Sequence, residues 1–97
     1  MNTLNLTIYK QYFDEIRAGT KKEEYRIAKP YWIKRLRGKH FDQILFRNGY
    51  SATAPRMIVE CLGITEEDGV FIIKLGDVLG GVFTPYERLF YEICKAS

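Results

Sequence analysis

Lys21, Glu24 and Arg26 are the residues of this chain whose types and spacing suit chemistry. They stand in Gly19-Thr20-Lys21-Lys22-Glu23-Glu24-Tyr25-Arg26, a stretch that leaves a helix-like segment and reads on as a strand. Strand side chains alternate faces, so the pattern puts Lys22, Glu24 and Arg26 on one side and Lys21, Glu23, Tyr25 and Ile27 on the other. Lys21 sits where the turn enters the strand. A guanidinium recognises planar acceptors such as phosphate through its fork of donors, and a partly desolvated lysine serves as a base or nucleophile. In a catalytic reading Lys21 activates water or attacks an acyl carbon, Glu24 shuttles the proton, and Arg26 or loop N–H groups stabilise the oxyanion. An edge strand whose charges pair with one another has the same pattern.

The elements that must position these residues are legible from periodicity. Leu4, Leu6 and Ile8 alternate with Asn5, Thr7 and Tyr9, as in a half-buried strand. Tyr9, Phe13 and Ile16 form one helical stripe over Lys10–Ala18, and Gly19 suits the left-handed cap. Pro30 opens a second helix, with Trp32, Ile33 and Leu36 as its apolar face. Lys34, Arg35, Arg37 and Lys39 crowd its other side and exit, and Tyr31 next to them offers a ring on which a base could stack. Gln43–Phe46 is an apolar strand. The turn-rich loop 48–55 carries Asn48, Tyr50 and Ser51, bracketed by Arg47 and Arg56. A long strand over Arg56–Glu66 meets Asp68-Gly69, a two-residue hairpin signal. Val70–Leu75 returns antiparallel, Gly76, Gly80 and Gly81 then reduce Asp77–Leu79 to a bend or short strand, and Thr84-Pro85 with Glu87 starts a third helix. The expected core includes Leu6, Ile8, Phe13, Ile16, Trp32, Leu36, Ile44, Val59 and Ile72. Five or so strands with two or three helices make a single α+β domain over residues 1–97, and the mostly antiparallel strands favour a small β-barrel.

Composition narrows the functions. The 97 residues carry a net charge of +3, but it is unevenly spread. Residues 17–56 hold eleven Lys/Arg against three Asp/Glu, whereas residues 57–97 hold three against seven. A basic segment on a small domain attracts phosphates. No apolar run approaches the roughly 20 residues that span a bilayer, and the N-terminus lacks the pattern of a signal peptide. Cys61 and Cys94 have no CxxC spacing, and His40 is the one histidine, so no zinc site is expected. These features predict a cytoplasmic protein without cofactor, structural metal or membrane partner.

The pattern Gly19-x-Lys21-x-x-Glu24-x-Arg26, preceded by Tyr12–Ala18, resembles the signature of the ASCH domains, which belong to the PUA-like superfamily of small β-barrels. The Leu4–Ile8 strand and Pro30-x-Trp32-Ile33-x-x-Leu36 are similar to what stands there in that family. The resemblance covers the first two-thirds of the chain. It implies a PUA-like barrel whose cleft, between early helices and sheet, takes RNA or a modified nucleoside. Some ASCH domains are similar to amidohydrolases that act on N4-acetylcytidine with a lysine, a threonine and a separate carboxylate. Lys21 matches the lysine, Glu24 stands at the threonine position, and Glu60 and Glu66 are carboxylate candidates by position. Others are linked to RNA cleavage, for which Tyr50 and Ser51 would join the site. Three readings follow: an RNA- or nucleoside-binding module, a small hydrolase acting as N4-acetylcytidine-type amidohydrolase or ribonuclease, and a protein-interaction module using the basic helix.

Overall fold

A computed structural model describes residues 1–82; the helix expected after Thr84 and the second cysteine, Cys94, lie outside the described residues. The elements run β1 (Thr3–Ile8), α1 (Lys10–Ala18), β2 (Glu23–Ile27), α2 (Pro30–Leu36), β3 (Gln43–Asn48), β4 (Arg56–Glu67) and β5 (Val70–Val82). The five strands form one sheet in the order β1-β3-β4-β5-β2, curled into a half-barrel. β1 pairs with β3 in parallel, and the other three pairings are antiparallel. β1 and β2 are therefore the two edges, and α1 connects them directly.

Alternation sets which face is buried. Leu4, Leu6 and Ile8 of β1 meet Ile44 and Phe46 of β3, Met57 and Val59 of β4, and Phe71, Ile73 and Leu75 of β5 in one cluster. Phe13 and Ile16 of α1 and Leu36 of α2 close it. Ile72, expected in this core, is only half-buried and pairs with exposed Tyr25 on β2. It belongs to the other face, because burial on β5 falls on the odd positions from Phe71 to Leu75. Trp32 is also half-buried and packs against the rim of the cluster.

The glycines after Leu75 do not break β5, which runs on to Val82. They are absorbed by register shifts against β4 between Ile58 and Gly63. At Gly76 the Glu60 side chain lies close over the backbone, so a Cβ there would push that side chain aside. The hairpin turn has the expected form, with φ of 50° at Asp68 and 76° at Gly69.

Gly19 ends α1 at φ 81°. The Thr20 and Lys21 amides and the Thr20 hydroxyl then all donate to the Glu15 carbonyl, at 3.0, 3.2 and 3.1 Å. This winds the turn onto the end of the helix and fixes where Lys21 enters.

Two charged contacts tie loops to the sheet. Arg37 grips Glu66 with two parallel hydrogen bonds of 2.9 and 2.7 Å, and the Asn2 amide donates to Asp42 at 2.8 Å. The guanidinium holds the Glu66 carboxyl below its ordinary 4.5, and the Asn2 amide holds Asp42 below its ordinary 3.8. Both groups thus have folded values below their unfolded ones, so their contribution is present above those ordinary values and is lost as pH falls through the depressed ones. Urea melts between pH 7 and pH 3 should show declining stability, with a smaller acid loss in Glu66→Gln. An acid loss in the variant equal to the parent's would assign the pH dependence elsewhere.

Candidate functional site

The half-barrel leaves a gap between its two edges, and a cleft of about 740 Å³ lies there. Thr7 and Ile8 line it from β1, Tyr9, Lys10 and Tyr12 from the start of α1, and Glu24, Tyr25 and Arg26 from β2. Lys21 enters from the turn, and Asn48, Gly49 and Tyr50 from the end of β3. Its size is that of a small-molecule site, and its walls combine four tyrosines with convergent charges.

Glu24 is the centre of the arrangement. It is only 6% exposed and is the one buried charged residue among those described. Its Oε1 lies 3.8 Å from the Lys21 ammonium and 3.4 Å from an Arg26 guanidinium nitrogen, and accepts the Tyr25 amide at 3.1 Å. Its Oε2 is buried and has no hydrogen-bond partner among the described residues. Burying an acceptor without a donor is unfavourable by about 1–3 kcal/mol, so a donor brought to Oε2 would be bound favourably.

Lys21 is held on three sides. Its ammonium lies 5.2 Å from the centre of the Tyr12 ring and 5.4 Å from that of Tyr25, besides Glu24. Aromatic faces and a carboxylate all attract a cation. Lys21 joins Glu24 although simple alternation puts them on opposite faces. It precedes the first residue of β2, Glu23, and the turn at Glu15 sets its direction instead. Arg26 extends the other way, its guanidinium 5.3 Å from the centre of the Trp32 ring.

The remaining expected site residues divide. Asn48 and Tyr50 line the cleft, and Tyr50 is 88% exposed there. Arg47 donates to the Ser51 carbonyl at 2.9 Å and Arg56 to the Ala52 carbonyl at 3.3 Å, so both arginines brace loop 48–55. The Ser51 hydroxyl pairs with Thr53, 3.1 Å from its hydroxyl and 3.2 Å from its amide. Arg37 is engaged by Glu66. Lys34 and Lys39 are exposed, and Tyr31 and Arg35 stack on one another on α2. Lys22 lines a second hollow of about 710 Å³ with Lys74, Glu60 and Asp77, which shares Lys21 and Tyr25 with the cleft. Its acids and bases offset each other, and Glu24 does not reach it. Of the two carboxylate candidates, Glu60 lines this hollow and Glu66 pairs with Arg37; neither lines the cleft.

The cleft also contains residues that the sequence pattern did not single out. Tyr9 and Tyr12, at the cap and in the first turn of α1, both line the cleft, and their rings lie 6.4 Å apart. For Tyr12 the signal was its place off the stripe of Phe13 and Ile16; Tyr9, expected on that stripe, is instead the N-cap of α1 and 79% exposed. Among the described residues no group of three or more His, Cys, Asp or Glu could hold a metal ion, and no helix is long and apolar enough to cross a membrane. Burial pushes the half-buried Cys61 thiol up from its ordinary value. No protein-family model matches the chain, and no curated protein matches it.

Proposed function

We propose that this chain is an ASCH-type, PUA-like domain that binds a nucleobase, of RNA or of a modified nucleoside, in the cleft between the edges of the half-barrel. The observation that carries the reading is the buried Glu24 carboxylate, one oxygen facing Lys21 and Arg26 and the other without a donor among the described residues. A carboxylate accepts from the amino and imino groups of base edges. The tyrosines around it provide faces on which an unstacked base can lie, and Lys21 and Arg26 supply charge for its acceptor atoms or an adjoining phosphate.

Binding is favoured over hydrolysis by two features. Lys21 is engaged by the Tyr12 and Tyr25 rings and by Glu24, contacts that hold its side chain in place as part of a binding wall. Glu60 and Glu66, the two candidates for the separate carboxylate of an amidohydrolase, are directed elsewhere. For the ribonuclease version, Ser51 is already bonded within its own loop.

The test is calorimetric titration of the parent and Glu24→Gln with the four ribonucleosides, N4-acetylcytidine and a short single-stranded RNA. Glu24→Gln keeps the shape but removes the charge, and affinity should fall about tenfold or more, as for loss of one charge-assisted hydrogen bond of about 1.5–3 kcal/mol. Lack of any binding by the parent at low salt, or release of acetate from N4-acetylcytidine, would overturn the reading in favour of an interaction module or a hydrolase respectively.

A further inference from the structure

Outside the cleft, the described surface has one cluster in which aromatic rings, guanidinium groups and an unsatisfied donor occur together. Trp32 packs its inner side on the core rim. Arg26, which lines the cleft, lies 5.3 Å from the centre of the Trp32 ring. The Tyr31 ring stands edge-on to Trp32 at 4.9 Å and 86°. Arg35 reaches both rings, 5.2 Å from Tyr31 and 5.6 Å from Trp32. Tyr31 is nevertheless 61% exposed, and the buried Arg35 Nε has no acceptor among the described residues.

We infer that the ligand is a single-stranded oligonucleotide, and that Tyr31 and Arg35 form a second stacking site for a nucleotide next to the one in the cleft. This rests on the nucleobase reading of the cleft. The two ring contacts that join Arg26 to Tyr31 make the cleft and the platform near neighbours, within reach of one or two sugar–phosphate repeats. An exposed ring held rigidly by a core-anchored neighbour loses little freedom when a base stacks on it. The Arg35 guanidinium beside it, 5.2 Å from the ring centre, supplies positive charge for the phosphate between the two bases. Exposed Lys29 and Lys34 lie on the same short helix or its cap and add positive potential along that path. A protein partner for the basic helix would need the charges but not the open ring.

The experiment titrates the parent, Tyr31→Ala and Tyr31→Phe with the four ribonucleosides and the four homotrinucleotides, with hexaglutamate as competitor. The best trinucleotide should bind about tenfold tighter than its nucleoside. Tyr31→Ala should remove that gain and leave nucleoside affinity unchanged, while Tyr31→Phe, which keeps the ring, should retain the gain. A trinucleotide no tighter than its nucleoside, an unaffected Tyr31→Ala variant, or displacement by hexaglutamate at equal concentration would overturn the inference. Tyr31-dependent trinucleotide binding with a failure of Glu24→Gln to matter would instead overturn the cleft reading and leave the platform standing.

Discussion

Glu24→Ala is expected to lower stability by about 3 kcal/mol in urea melts at neutral pH, the scale of breaking a buried ion pair from one side. The Glu24 side chain is 8% exposed, and those of Lys21 and Arg26 are 16% and 18% exposed. Both cations approach the same oxygen, so its removal leaves two poorly solvated positive charges close together with nothing between them. Adding Lys21→Met to Glu24→Ala should restore part of the loss, because it removes one of the stranded charges. A Glu24→Ala variant within about 0.5 kcal/mol of the parent, the range of ordinary surface changes, would mean that the carboxylate is open to water and that the cleft is not built around it.

The second large effect lies in the core and separates two neighbouring residues of the same type. Ile73 is fully buried on the inner face of β5, between β4 and β2. Ile73→Ala should lower stability by about 4 kcal/mol, combining lost transfer energy with a cavity the sheet cannot collapse. Ile72, one residue earlier, lies half-buried on the opposite face. Ile72→Ala should change stability by about 1 kcal/mol, as expected for a side chain that gives up only part of its burial. Equal losses at both positions would mean that the alternation along β5 has been assigned with the wrong phase.

That pair also shows where sequence reasoning was strong and where it ran out. β1, α1 and the Asp68-Gly69 hairpin were legible because each carries a local signal: strict alternation, a helical stripe ended by glycine, and a turn that takes positive φ. Val70-Phe71-Ile72-Ile73 has no polar residue to set the phase, so burial there is decided by which strands lie alongside. The length of β5 was hidden for a related reason. Gly76, Gly80 and Gly81 read as stops, but a strand paired with a bulged partner can absorb them.

At the site, Glu24 and Arg26 were legible as same-face neighbours on a strand. The approach of Lys21 was not, since it depends on three donors converging on one helix carbonyl. Counting charges identified the basic segment correctly but not how each arginine is used. Arg37 holds a hairpin strand, and Arg47 and Arg56 hold a loop, through partners up to 29 residues away. The tyrosines of α1 became site residues only when the sheet brought its two edges to the same gap.

The order of strands has a consequence for how the molecule comes together. β4 and β5 are joined by a tight turn and can zip up by local encounters. β1, by contrast, must find Gln43 with Thr3, forty residues away, across the whole of α1, β2 and α2. Closing that loop carries a larger entropic penalty than closing the hairpin turn. β2 must dock on the opposite margin of the hairpin before the cleft has both walls. The cleft is therefore the most non-local part of the fold: Glu24 has its surroundings only when the two margins of the sheet are both in place.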